Sequence, residues 1–278
     1  MSLKAKVFEY AKMIRDHQDE HGFILTDRCD SLLFSALIGC NSLVRVNIDA
    51  AMGFEGEWYR RPLYNAQGEL WAYPECYACG ESKSTISRDM LLGLAWYAYY
   101  NKRLDISEGI IKYAFRHGMV MGKGVLSRTL MTPSLLATFA WVSYRLGGPS
   151  RSWLRWIPAD FGAKVTDYQA HLQCLHILLR KKLGYKLNPL ESSTLSRLAS
   201  ENPWNVLFQV ADGRVDDTIE LLECENWWPN DRLPTTADRK GGWLPERDWG
   251  DNYKPSDGEP RVHTGGDFLF VAWLLSLT

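Results

Sequence analysis

A marked excess of charge of either sign is missing from this chain. Across 278 residues, 32 Lys and Arg stand against 33 Asp and Glu, a formal net charge of −1. The basic excess that marks a duplex nucleic-acid binder is therefore absent. Long hydrophobic runs are missing too. The longest, 91–100 and 268–277, are about ten residues each, against the roughly 18 or more that span a bilayer. The start, MSLKAKVFEYAKMIRDHQ, is charged and amphipathic, unlike a signal peptide. Cysteine is too sparse for a disulfide framework, with six at positions 29, 40, 76, 79, 174 and 224. Neither nucleic acid nor membrane is expected as a partner, and a soluble protein of a reducing, cytoplasmic compartment is the default.

Cofactor and metal signatures are also lacking. There is no G-x-G-x-x-G after a strand, no G-x-x-x-x-G-K-[ST] and no H-E-x-x-H. Cys76-x-x-Cys79 is half of a structural zinc pattern, but Cys29 and Cys40 have the wrong spacing to complete it and no H-x-x-x-H follows. Unpaired thiols, no metal and no cofactor are expected. What the chain has in excess is aromatic, with 12 Trp, 13 Tyr and 10 Phe making 13% of it. Together with 46% hydrophobic and 23% charged residues, this is the profile of a folded protein with ample core.

Period-2 strands are absent, and apolar residues recur at helical spacing. Val7, Phe8, Ala11 and Ile14 predict a first helix over 3–20, and 31–40 forms a second apolar block. Ser87 is placed to cap a third helix that ends near Asn101, and a fourth covers 106–117. Thr132-Pro133, Asn188-Pro189 and Asn202-Pro203 each set a cap before a proline at the first helical position, where its missing N–H costs nothing. Glu191 completes a capping box with Asn188. Helices over 167–183, 215–222 and 266–277 bring the count to ten, or eleven with a short one at 153–158. The fold class is mainly α, and the helix pairs continue without a linker, so one domain over 1–278 is expected.

Two long irregular stretches, 41–86 and 225–263, interrupt this rhythm. Loops beyond about 15 residues are usually functional or disordered, and these carry Trp58, Tyr59, Trp71, Trp243, Trp249 and Tyr253 among other aromatics. Such density needs packing partners, so the loops are expected to be ordered. In an up-and-down array, counting the short helix at 153–158, the connections 41–86, 119–131 and 225–263 are the second, fourth and tenth, all on one face. Without that helix, the third moves to the opposite face.

The strings STISRDMLLGLAWYAYY (84–100) and HTGGDFLFVAWLL (263–275) place polar groups at the first turn of an apolar helix. With the helix pairs and one-sided aromatic loops, the chain resembles the α/α-toroid (six-hairpin) carbohydrate-active proteins. That resemblance implies a toroid of antiparallel helix pairs with a carbohydrate ligand on the loop face. Glycosidic cleavage by paired carboxylates is the leading expectation. A uronate lyase, or a non-catalytic protein that binds a glycan or another protein, is the alternative.

Asp89, in the first turn of its helix, is a candidate general acid or base with Arg88 beside it, or else a complement to the helix dipole. Asp267 follows Thr264, Gly265 and Gly266, with His263 a candidate base just before them. Asp89 and Asp267 form the first catalytic pair, which must sit roughly 5–5.5 Å apart for retention or 6.5–9.5 Å for inversion. Trp58, Tyr59, Arg60 and Arg61, with Trp243, Trp249, Asp248, Asp251 and Asp257 of the second loop, offer stacking faces and polar partners for a sugar. The same aromatics serve equally as loop anchors. A lyase would use His263 or Tyr253 as base, and Arg60 or Arg88 against a uronate. Asp30, next to Asp27 and Arg28, is read as a cap, and Arg180-Lys181-Lys182 as a solvated face.

Overall fold

The computed structural model describes residues 2–16, 18–24, 31–62, 84–124, 126–149, 157, 167–201, 203, 205–223 and 266–277; the side chains of 167–169, 171, 266 and 267 lie outside that description. The described residues are mainly helical, with ten α-helices among them. None of these helices is long and apolar enough to cross a membrane. The chain divides into two compact units, one of Met1–His17, Asn41–Val44 and Phe161–Thr278, the other of Gln18–Cys40 and Arg45–Asp160.

The Gln18–Cys40/Arg45–Asp160 unit holds α2 (Ser31–Ile38), α3 (Arg88–Tyr100), α4 (Leu104–Arg116), β1 (Val120–Lys123), β2 (Arg128–Leu130) and α5 (Pro133–Arg145). All eight residues of α2 are buried, as befits a helix that is apolar all round. It packs chiefly on α3. Gly93 of α3 makes this approach possible, because a Cβ there would meet Leu33 side-chain and backbone atoms at 3.1–3.3 Å. Helix α4 is amphipathic and buries Ile106, Ile110, Ile111 and Ala114. It packs on α5, where Ser143 donates a short hydrogen bond to the buried Glu108 carboxylate. The predicted cap of α5 is present: Thr132 accepts from the Leu135 N–H at 3.2 Å, with Pro133 at the first position.

Sequence reading found no strand here, yet β1 and β2 pair antiparallel, with Gly122 opposite Thr129 and Lys123 opposite Arg128. Strands of four and three residues, one of them bulged, are too short to show an alternating pattern. Gly122 is where the hairpin meets the segment before α3, since a Cβ there would lie 2.9 Å from Ile86 Cγ2 and Ile86 N. Gly122→Val is expected to cost about 1–3 kcal/mol through this overpacking, read as a lower denaturant midpoint with an unchanged slope.

The other unit holds α1 (Leu3–Arg15), α6 (Asp167–Lys182), α7 (Pro189–Glu201), α8 (Val206–Asp212), α9 (Val215–Glu223) and α10 (Gly266–Leu274). Helix α8 is its centre and packs on α6, α7, α9 and α10. Tyr10 of α1 stacks on Phe268 of α10, ring centroids 4.3 Å apart. The buried Lys6 closes the end of α9 by donating to the Leu222 and Glu223 carbonyls at 3.0 and 3.1 Å.

Two helix boundaries and one cap differ from expectation. Helix α1 stops at Arg15, short of residue 20, because Asp19 turns the chain by accepting from the His21 and Phe23 N–H groups at 2.9 and 2.7 Å. The cap before α8 is Asn205 rather than Asn202, and its carboxamide accepts from Leu207 and Phe208 where the buried run begins. Ser87 precedes α3 as predicted, but its side chain makes no cap hydrogen bond. The capping box of α7 forms reciprocally, Asn188 N–H to Glu191 at 2.8 Å and Glu191 N–H to Asn188 at 2.9 Å.

Candidate functional site

The segment 84–89, which leads into α3, is clamped from several sides. Arg60 donates from Nε to the Ser84 carbonyl at 2.8 Å, while the Arg60 carbonyl accepts from the Leu32 N–H of α2 at 2.9 Å. From the hairpin, Thr129 donates to the Ile86 carbonyl at 2.6 Å, the Ser84 and Thr129 hydroxyls are hydrogen-bonded to each other, and Thr85 N–H reaches the Lys123 carbonyl at 3.2 Å. At the end of this segment the Asp89 side chain is buried, with only 1% exposed. The Ser87 hydroxyl is buried as well and makes no hydrogen bond. A carboxyl group and an idle hydroxyl two residues apart are thus held on a rigid helix start, as a preorganised site requires.

The other sequence candidates fall into three groups. Trp58 is a core position at 3% exposure and Arg60 is buried at 5%, so both brace the first long loop. Tyr59 is half-buried and donates to the Glu57 carboxylate at 2.7 Å; Arg61 is half-buried and Arg88 exposed. Asp267 lies in the other unit, on α10, and its side chain is outside the described residues, as are Asp27, Arg28, Asp30, Trp71, Trp243, Asp248, Trp249, Asp251, Tyr253, Asp257 and His263. Cys29, Cys76, Cys79 and Cys224 are outside them too. Cys40 and Cys174 are free thiols, both pushed up by burial. Among the described residues no group of three His, Cys, Asp or Glu side chains is placed to hold a metal.

A second polar group escaped the sequence reading. Arg180 is not on a solvated face: Lys181 and Lys182 are exposed, but Arg180 is fully buried at 0%. Gln173, His176 and Arg180 recur at helical spacing, so the inner side of α6 carries a polar stripe among its leucines. The stripe continues through Tyr185, whose ring lies 5.7 Å from the Arg180 guanidinium. Gly184, at φ +91°, ends α6 so that the Tyr185 N–H bonds the Arg180 carbonyl at 2.9 Å. Burial, then Glu191, with which it shares a hydrogen bond, pushes the Tyr185 phenol up. The signal in the sequence was there to find: three hydrogen-bonding residues at positions whose helical neighbours Leu175, Leu179 and Leu183 are all core.

Burial, reinforced by the Arg180 guanidinium, pushes the His176 imidazole down from 6.5 to about 3. The unfolded chain binds a proton below its ordinary value, and the folded one does not until about 3. Stability is therefore lost as pH falls through that window, by about 1.4 kcal/mol per pH unit from this group. His176→Gln is expected to remove that component of the slope, as measured by chemical denaturation at pH 7.5, 5.5 and 4.5.

Comparison of the chain with protein-family models, with curated proteins and with solved structures finds no match.

Proposed function

We propose that the chain is a carbohydrate-active protein of α/α-toroid architecture that hydrolyses a glycosidic bond, with Asp89 as an acid-base carboxyl group. The observation that supports this most is the burial of Asp89, two residues after Ser87 with its buried hydroxyl, at the end of a segment clamped by Arg60 and the β-hairpin. Hydrolysis needs a carboxyl group fixed within a fraction of an ångström of the glycosidic oxygen, and a braced helix start supplies that better than a free loop. The uronate-lyase alternative draws on Arg60 or Arg88; Arg60 is buried with its Nε donating to the Ser84 carbonyl, whereas Arg88 is exposed. Release of reducing ends from a panel of neutral polysaccharides by the wild-type protein, lost in Asp89→Asn, is the expected result. Asp267→Asn tests the second sequence-nominated carboxylate independently. Saccharide binding with no release by any of the three proteins points instead to a non-catalytic glycan binder.

A further inference from the structure

The first long loop carries a group of side chains that the Asp89 segment does not use. Residues 52–58 form a closed turn: Met52 and Trp58 bridge antiparallel, Gly53 N–H bonds the Glu57 carbonyl at 2.8 Å, and Glu57 N–H bonds the Phe54 carbonyl at 3.2 Å. Two successive left-handed residues, Glu55 at φ +61° and Gly56 at φ +86°, make the tip. A non-glycine residue in that region is disfavoured and is kept only where the surrounding bonds hold it there. Trp58, buried, roots the turn in the core. The result is a Phe54 ring held at 88% exposure by a backbone with little freedom to fold it away.

The same turn, and the helix it packs on, carry polar groups. The turn Phe54–Gly56 packs on α4. The Glu57 carboxylate accepts from the Tyr59 phenol at 2.7 Å. From α4, the Tyr113 phenol is pushed up, first by burial and then by the Glu57 and Glu55 carboxylates. His117 stacks on Tyr113, ring centroids 4.1 Å apart, and its Nε2 is buried with no hydrogen bond. An exposed apolar ring on a turn that also carries the Glu55 and Glu57 carboxylates matches a pyranose, which offers an apolar C–H face and hydroxyl groups at its edge. The two carboxylates repel an acidic sugar.

We propose that the 52–59 turn and the C-terminal end of α4 form a second saccharide contact, a platform for a neutral sugar residue, with Phe54 as its stacking face and Glu57 as its hydroxyl acceptor. This rests on the saccharide reading above. In isothermal titrations, cellohexaose, mannohexaose and trigalacturonate are the probes. Wild-type protein is expected to bind at least one of the neutral probes and to bind trigalacturonate at least tenfold more weakly. Phe54→Ala and Glu57→Gln, each changing a side chain outside the buried core, are expected to weaken the neutral probe at least tenfold with the same melting temperature as wild type. If both variants bind as wild type does, the platform is wrong and the saccharide reading survives. Trigalacturonate bound as tightly as the neutral probes also overturns the platform. No binding of any probe by wild type overturns both. Loss of self-association in Phe54→Ala on sedimentation, with saccharide binding untouched, assigns the tip to a protein contact instead and likewise overturns the proposal.

Discussion

Arg180→Ala is expected to lower stability by about 3–5 kcal/mol, the range for removing a buried charge around which neighbours are organised. Arg180 is fully buried on α6, with the Tyr185 ring against its guanidinium and His176 one turn away. Truncation removes a large side chain from a packed interior and leaves polar groups that were arranged about its charge. The cavity and the stranded polar groups act in the same direction. For a chain of this size the melting temperature should fall by roughly ten degrees. Arg180→Lys keeps the charge but not the planar fork, and should fall between wild type and Arg180→Ala. A surface arginine would shift stability by about 0.5 kcal/mol or less, so equilibrium denaturation separates the buried position from the solvated face that the Arg-Lys-Lys string suggests.

Asp89→Asn is expected to reduce turnover by a factor of about 10²–10⁴, the range associated with one acid-base group. The substitution is close to isosteric, and Arg60, Ser84 and Thr129 all contribute bonds that hold its segment. Thr129→Val provides the comparison. It removes the bond to the Ile86 carbonyl and the partner of the Ser84 hydroxyl, so it loosens the segment while leaving the carboxyl group in place. Its turnover should fall less than that of Asp89→Asn while its stability falls more. If the Asp89 carboxyl only complements the helix dipole, Asp89→Asn costs about 0.3–1 kcal/mol of stability and leaves turnover unchanged.

Much of the helical architecture is written locally. Thr132-Pro133 and the Asn188/Glu191 pair are readable because a cap needs only a few consecutive residues, and both form as the spacing implies. The start of α8 was misplaced because two asparagines compete three residues apart, and the buried run after Asn205 decides between them. The β-hairpin depends on partners rather than on its own pattern, since Thr129 and Gly122 acquire meaning only against residues 84–86. For the candidate site, the sequence places Asp89 in the first turn of its helix, and it stands there. It could not assign Trp58 and Arg60 to the interior, because an aromatic-basic string looks the same whether it faces a ligand or braces a loop. The exposed ring nearby is Phe54, which no motif marks. Arg180 departs from expectation for a related reason: a run of three cations suggests one solvated face, but successive helical residues point about 100° apart and one of the three turns inward.

Hydrolysis by this chain is tested most directly by incubating it with a neutral oligosaccharide in ¹⁸O-enriched water and weighing the products. The account predicts shorter saccharides that carry one ¹⁸O for each bond cleaved, formed by wild type and not by Asp89→Asn. Unlabelled products bearing a new double bond, formed from a uronate-containing oligosaccharide offered in parallel, or no cleavage of any saccharide offered, would contradict it.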